Sequence, residues 1–115
     1  MTPFLNTVVN ALDDLRLKDI RVYDFHNASP YYDYQIVASA SNERQVHASI
    51  NKISQVLPLG ASLKVEGKSD NRWLLFDLGD ILVHVMHQET REYYQIEKLF
   101  VERDQISISG LMNEL

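Results

Sequence analysis

Apolar residues near the start of the chain recur every three or four positions, which is the spacing of one helix face. The residues on this face are Phe4, Leu5, Val8, Val9, Leu12 and Leu15. Pro3 precedes them, and proline is favoured at the first helical position because its fixed φ suits a helix. The pattern therefore predicts an amphipathic helix that begins at Thr2 and weakens after Leu17.

A second helix is predicted between a polar cap and two helix-stopping residues. Its apolar face consists of Val46, Ile50, Ile53, Val56 and Leu57. Ser41 or Asn42 suits the N-cap, because a short polar side chain can accept a hydrogen bond from a free amide of the first turn. Pro58 and Gly60 then end the pattern.

Apolar runs, some of them alternating with polar residues, predict five strands. They lie within residues 20–26, 31–40, 62–67, 73–78 and 81–86. Gly79 and Asp80 separate the last two strands, which indicates a β-hairpin. The segment 88–100 then predicts a third helix. Four of its residues follow core spacing, namely Tyr93, Ile96, Leu99 and Phe100.

The predicted order is α-β-β-α-β-β-β-α, so the fold class is α/β, with a mixed sheet in a single compact domain. The strand, helix and strand between residues 34 and 65 form a crossover unit, and such units join parallel strands. The hairpin adds antiparallel strands. We place the domain at residues 1–100 and a C-terminal tail, either a short strand or a frayed extension, at residues 101–115.

Composition narrows the class of protein. The chain has 115 residues, 45% of them hydrophobic, which suffices for one domain with a core. It has no cysteine, which excludes disulfides and thiolate catalysis and suits a reducing cytoplasm. We expect no signal peptide or membrane span, and hence a cytoplasmic protein. The formal net charge of -5 favours a basic protein partner, or none, over a partner bound mainly through phosphates.

The acidic residues do not follow the pattern of a two-metal centre. Such a centre often places two carboxylates at alternate positions of one strand, where both point the same way, and no strand here has that pair. Asp77 and Asp80 flank the predicted turn, and Asp33 opens a strand. A metal ion shared by Asp77 and Asp80 is one alternative. The favoured interpretation is that Asp80 bonds turn amides while Asp77 is a strand-end charge.

Several other polar and aromatic residues each have a structural and a functional interpretation. His84 shares a strand face with Leu82 and Met86, and a hydrogen-bonded structural role is favoured for it over metal binding. Arg91 and Tyr94 lie on a flank of the predicted third helix with Glu97, and this flank is either an interface hot spot or a solvated helix face. A single tryptophan in a chain most often fills the edge of the core, and this is the favoured interpretation of Trp73. Neither a nucleophile motif nor a glycine-rich phosphate loop occurs.

The stretch from Arg72 to Phe100 resembles the ribosomal silencing factor family, also called Iojap-like proteins. The positions that fit the family pattern are Trp73, Asp77, Gly79, Asp80, Val83, His84, Arg91, Tyr94, Glu97 and Leu99. The resemblance extends upstream through "SPYYDYQIVASASNERQVHASINKI" and "VEG", and covers roughly residues 4–100. Three positions depart from it: Ala40 stands where a glycine is usual, Ile96 replaces leucine, and Phe100 replaces tryptophan.

The resemblance implies a fold like that of nucleotidyltransferases without their catalytic carboxylate pair, no enzymatic activity and no cofactor. It further implies binding to one large-subunit ribosomal protein, the one numbered fourteen, at the surface where the small subunit docks. A protein bound there would hinder subunit joining and repress translation when nutrients are short. Direct contact with nucleic acid is expected to be small.

Clustering and this resemblance together predict a docking face. Its residues are Trp73, Asp77, Asp80, His84, Met86, Arg91 and Tyr94, with Glu97 as a charge partner. His84 and Met86 would supply adaptable contacts from the sheet. Arg91 and Tyr94 would anchor from the third helix, and the two aspartates would meet basic side chains. The alternatives are a residual magnesium-dependent nucleotidyltransferase that uses Asp33, Asp77 or Asp80, and a module whose sheet face pairs in a homodimer.

Overall fold

The computed structural model describes residues 3–108, which form helices packed on a single sheet. The elements are α1 (Pro3–Asp14), β1 (Lys18–Asp24), β2 (Tyr34–Ala40), α2 (Glu43–Val56), β3 (Lys64–Glu66), β4 (Trp73–Asp77), β5 (Ile81–His87), α3 (Gln88–Tyr94), a 3-10 helix (Ile96–Phe100) and β6 (Gln105–Ile106). The predicted start at Thr2 lies outside the described residues. Within residues 3–108, no helix is both long enough and apolar enough to cross a bilayer.

The six strands lie in the order β3-β4-β5-β2-β1-β6. β2 and β5 are parallel, from Tyr34 opposite Ile81 to Ala40 opposite His87, and all other neighbours are antiparallel. The predicted mixed sheet and hairpin are confirmed. The parallel neighbour of β2 is β5, however, and not β3 of the crossover unit. The apolar run of β5 needs cover on both faces and takes a central position, while the short β3 lies at the edge.

Helices α1 and α2 cover one face of the sheet and enclose the main core. This core includes Leu5, Val8, Val9, Leu12, Val46, Ile53, Leu74, Phe76, Val83 and Val85. Asn42 caps α2, since its side-chain oxygen accepts a hydrogen bond of 2.8 Å from the amide of Gln45. Burying each large aliphatic side chain contributes about 1.5–3 kcal/mol, so the two predicted apolar stripes hold this layer together.

The predicted third helix is interrupted. α3 ends at Tyr94, and Gln95 takes a left-handed conformation with φ 48° and ψ 50°. Its amide donates to the carbonyl oxygen of Arg91 at 2.9 Å, which closes the helix end. Because this residue rotates the chain, one helical period does not continue through residue 100. Ile96 and Phe100 are therefore buried as predicted, whereas Tyr93 and Leu99, also predicted in the core, are 80% and 81% exposed.

The 3-10 helix covers the middle of the second face of the sheet. Ile96 and Phe100 pack there in a cluster with Tyr23, Val37 and Met86. Beyond it, β6 pairs with β1, so part of the predicted tail is a strand, while residues 109–115 lie outside the described part of the chain. This cover meets β4 at Trp73 but does not extend along the rest of β4 or to β3, so the outer part of the sheet is left open.

Candidate functional site

The uncovered part of the sheet carries half-buried apolar side chains. In β4, Leu74 and Phe76 point into the core, so Trp73, Leu75 and Asp77 point to the other face. A shallow depression lies on this face, and its lining includes Tyr32, Leu63, Leu75, Asp77 and Leu82. Apolar side chains with one face open to solvent are suited to contact a partner.

Four rings form a row from the sheet to α3, and we call Tyr93, Tyr94, Trp73 and His84 the aromatic row. The Trp73 ring centroid lies 5.2 Å from that of Tyr94 and 6.0 Å from that of His84. Tyr93 and Tyr94 meet edge to face at 5.0 Å. Tyr94 is 56% exposed. Exposed tyrosines backed by a tryptophan offer large, rigid contact area, which is typical of interface anchors.

His84 holds the indole of Trp73 in place. Trp73 Nε1 donates to His84 Nδ1 at 3.2 Å, and His84 Nε2 lies 3.0 Å from Gln35 Oε1. Burial lowers the pKa of His84 from 6.5 to about 4, against a smaller opposing effect of the Glu97 charge. The ring is therefore neutral at pH 7, accepts at Nδ1 and carries its hydrogen on Nε2. The predicted hydrogen-bonded structural role is confirmed.

The expectation that His84 and Met86 supply adaptable surface contacts is wrong. His84 is 8% exposed, and Met86 is fully buried. Met86 packs with Val37, Ile96 and Phe100 in the cluster beneath the 3-10 helix. Strand alternation correctly placed the two residues on the second face of the sheet, but it contains no information about which segment covers that face.

Arg91 is an internal clamp rather than an anchor for a partner, which corrects its predicted role. It is 5% exposed, and its Nη1 donates to Asp19 O at 2.7 Å and to Ser39 Oγ at 2.8 Å. Its Nε and Nη2 donate to Glu97 Oε2 at 3.1 Å and 2.9 Å. One guanidinium thus ties β1, β2 and the 3-10 helix to α3. Glu97, predicted as a charge partner of the docking face, neutralises Arg91 within the chain.

The two hairpin aspartates exchange the roles predicted for them. Asp77 Oδ1 accepts from the turn amide of Gly79 at 3.0 Å, whereas the Asp80 side chain is exposed. The main-chain oxygen of Asp80 accepts from the amides of Asp33 and Tyr34, at 2.7 Å and 3.3 Å. Within residues 3–108, no group of three or more His, Asp or Glu side chains is placed to hold a metal ion.

Among the predicted site residues, the structure brings Trp73, His84 and Tyr94 into contact and pairs Arg91 with Glu97. Asp77 and Asp80 lie at the opposite end of the same hairpin, about 13 Å along β4 from Trp73. Leu75 and Leu82, which are absent from the predicted docking face, fill the space between the two ends. Their alternation with buried neighbours was the available signal, because it places Leu75 beside Trp73 and Asp77 on one face.

Comparison with known proteins agrees with this architecture. The profile of a family described as "Ribosomal silencing factor during starvation" matches residues 2–114. Ribosomal silencing factor RsfS of Bacillus subtilis is 35% identical over 112 residues, which cover 96% of this chain and 95% of that protein. The mouse protein named "Mitochondrial assembly of ribosomal large subunit protein 1" is 32% identical over 104 residues, covering 86% of this chain and 46% of that protein.

Two crystal structures share the fold. One, of a protein from Chromobacterium violaceum, superposes with a TM-score of 0.78 and 34% identity over 87% of each chain. The other, from Bacillus halodurans, gives 0.77 and 31% identity over 90% of this chain and 95% of that one. The profile match and the relatives together show that this chain belongs to the ribosomal silencing factor family.

Proposed function

We propose that this chain binds the large ribosomal subunit through its basic protein numbered fourteen and thereby keeps the small subunit from joining. The observation that carries the proposal is the uncovered part of the sheet with the aromatic row at its border. The family resemblance supplies the partner. A mouse relative named for assembly of the ribosomal large subunit supports the choice of subunit.

The docking face has the composition that such an interface needs. Leu75 and Leu82 form an apolar centre, Trp73 borders it, and Tyr94 stands exposed beside Trp73. Asp77 and Asp80 lie at the rim, where charged residues of interfaces are usually found. A standard interface buries about 800 Å² on each partner. This is roughly one-ninth of the 6910 Å² surface of the chain.

Charge favours a basic partner. The chain has a net charge of -5, so a cationic ribosomal protein is attracted to it over distances of about a Debye length. Such steering raises the rate of association more than it raises affinity. The two rim aspartates are the acidic groups best placed to meet lysine or arginine side chains of the partner.

The proposed action is steric and needs neither turnover nor a cofactor. A bound domain of this size occupies volume that the small subunit requires, and affinity alone then determines the degree of inhibition. We place this activity in the cytoplasm, where free subunits meet. The buried residues Arg91 and Met86 contribute by shaping the face, while direct contact falls to Tyr94, Trp73 and the half-buried leucines.

Sedimentation tests the proposal. The folded protein should co-migrate with purified large subunits at modest salt, and small subunits added afterwards should join less often. Failure to co-migrate would refute the proposed function. Tight binding of ATP with Mg²⁺ would instead favour the nucleotidyltransferase alternative. A homodimer seen by light scattering would favour self-association, unless large subunits dissociate it.

A double variant tests the face itself. Tyr94→Ala with Asp80→Lys should weaken binding to the isolated ribosomal protein by at least about 2 kcal/mol, because it removes an aromatic anchor and reverses a rim charge. The control is Leu59→Ala with Glu43→Lys, which changes an exposed apolar residue and an exposed acid elsewhere. Wild-type affinity in the folded first variant would refute the assigned face.

A further inference from the structure

A cationic cleft lies at the other edge of the same sheet face, between β1 and the chain from the end of the 3-10 helix to Gln105. Arg21, Lys98 and Arg103 line it above a floor formed by Tyr23 and Phe100. The 3-10 helix separates this cleft from the docking face. Because the order of the strands is β4-β5-β2-β1, the strands of Trp73 and Arg21 are three spacings apart, or about 14 Å.

The charges of this cleft are unusual for an acidic chain. Its one acidic lining residue, Glu97, is held by the buried Arg91 at 2.9 Å. Arg21 is paired with Asp19 at 2.8 Å. Within residues 3–108, neither Lys98 nor Arg103 forms an ion pair. The lining therefore carries three cations against one anion, whereas the depression on the docking face has Lys64 against Glu66 and Asp77.

An ordered frame holds these cations. The Phe100 ring packs against Tyr23 with centroids 5.1 Å apart, and the Arg103 amide donates to the Phe100 carbonyl oxygen at 2.9 Å. The amide of Asp24 donates to the carbonyl oxygen of Asp104 at 2.8 Å, directly after Arg103. Arg103 is thus presented from a short segment that is fixed to β1 at both ends, and Lys98 from the 3-10 helix just before it, which lowers the entropy lost when a ligand binds.

We infer that this cleft binds the phosphate backbone of ribosomal RNA beside the docked ribosomal protein. The inference rests on the proposed function. Clustered lysine and arginine side chains are the groups that neutralise phosphates, and such contacts are independent of base sequence. Both contact regions lie on one face, so RNA adjoining the bound protein comes within reach of the cleft. The acidic rim meets the basic protein, and the cationic edge meets the phosphates.

The double variant Lys98→Glu with Arg103→Glu tests the inference in the full chain. Its affinity for large subunits should fall about 10-fold at moderate salt, and the slope of log K against log salt should become shallower by about 1–2. Its affinity for the isolated ribosomal protein should stay the same or increase, because added negative charge cannot weaken attraction to a basic partner. A loss of affinity for large subunits without a loss of affinity for the isolated protein distinguishes an RNA contact from a protein contact.

The control Arg44→Glu with Lys68→Glu makes the same change in net charge at two exposed residues outside both regions. It should leave binding to large subunits within about twofold. Equal losses in the two variants, or no loss in the first, would overturn the RNA contact while leaving the docking face intact. If wild-type protein binds neither large subunits nor the isolated protein, the proposed function itself fails.

Discussion

Two buried polar side chains, His84 and Arg91, hold the candidate docking face in its shape. His84 bonds the Trp73 indole on one side and Gln35 on the other. Arg91 donates to Asp19, Ser39 and Glu97 from a single guanidinium. A buried polar group stabilises a fold only while its partners are in place, because an unpaired group keeps the full cost of desolvation. Both side chains are therefore expected to position the residues of the candidate docking face without contacting a partner themselves.

The depressed pKa of His84 predicts a stability that depends on pH. Below pH 6.5 the unfolded chain binds a proton at this histidine, whereas the folded chain resists protonation until the pH approaches 4. The stabilisation is thus fully present above pH 6.5 and is lost as pH falls to about 4. Between pH 7.5 and 5 the free energy of unfolding should fall by about 2 kcal/mol, as measured by urea unfolding.

His84→Gln should remove this part of the pH dependence, because glutamine does not titrate. The matched variant His47→Gln removes an exposed histidine and should keep the wild-type dependence, since His84 remains. The same dependence in all three proteins would show that His84 does not carry the effect. Because carboxylates also titrate below pH 5, the unfolding free energies of the three proteins should be compared above that pH.

Loss of Arg91 should destabilise the chain strongly. Arg91→Met leaves the Glu97 carboxylate, the Ser39 hydroxyl and the Asp19 carbonyl without their donor, which should lower the free energy of unfolding by about 3 kcal/mol. Arg44→Met, at an exposed position, should change it by less than about 0.5 kcal/mol. Chemical denaturation measures both. An Arg91→Met protein that keeps wild-type stability but loses binding to large subunits would indicate that Arg91 contacts the partner directly.

The joint between α3 and the 3-10 helix decides which side chains of the last segment are buried. Gln95 occupies the left-handed region, which is unfavourable for a residue with a Cβ by about 1–2 kcal/mol. The strain is compensated by the burial of Ile96 and Phe100 and by the ion pair between Arg91 and Glu97. The element exists in this form because of its contacts with the sheet.

Gln95→Gly should therefore stabilise the fold by about 0.5–1 kcal/mol, because glycine adopts the left-handed conformation without strain. Glu92→Gly, within α3, should instead destabilise it by about 1 kcal/mol, since glycine is a poor helix former. Thermal or urea unfolding gives both values. Destabilisation of similar size in the two variants would indicate that Gln95 does not carry conformational strain in the folded protein.

At the level of the whole molecule, the sheet divides the chain into a helix-covered side and a side that carries the candidate docking face. α1 and α2 cover one face and supply most of the core. The other face has three parts: an open apolar part bordered by the aromatic row, a middle covered by the 3-10 helix, and a cationic edge. Net charge alone, at -5, does not show that acidic and cationic residues are separated on this face.

Local patterns were sufficient for most elements. The spacing of apolar residues in α1 and α2, the Asn42 cap and the Gly79–Asp80 turn depend on neighbours within a few positions, so the sequence contains their signal directly. Strand alternation likewise placed His84 on one face with Leu82 and Met86. The family resemblance rests on residues along most of the chain, and the family profile matches residues 2–114.

Only the tertiary structure decided what covers each surface. The parallel pairing of β2 with β5 joins strands separated by a helix and two other strands. The hydrogen bond from Arg91 to Asp19 spans 72 positions, and the burial of Met86 depends on Ile96 and Phe100, which follow the left-handed Gln95. Periodicity describes a residue relative to its neighbours in sequence. Burial depends on segments that are distant in sequence. For that reason the sequence pattern assigned Arg91 and Met86 to a surface, whereas the tertiary structure buries both.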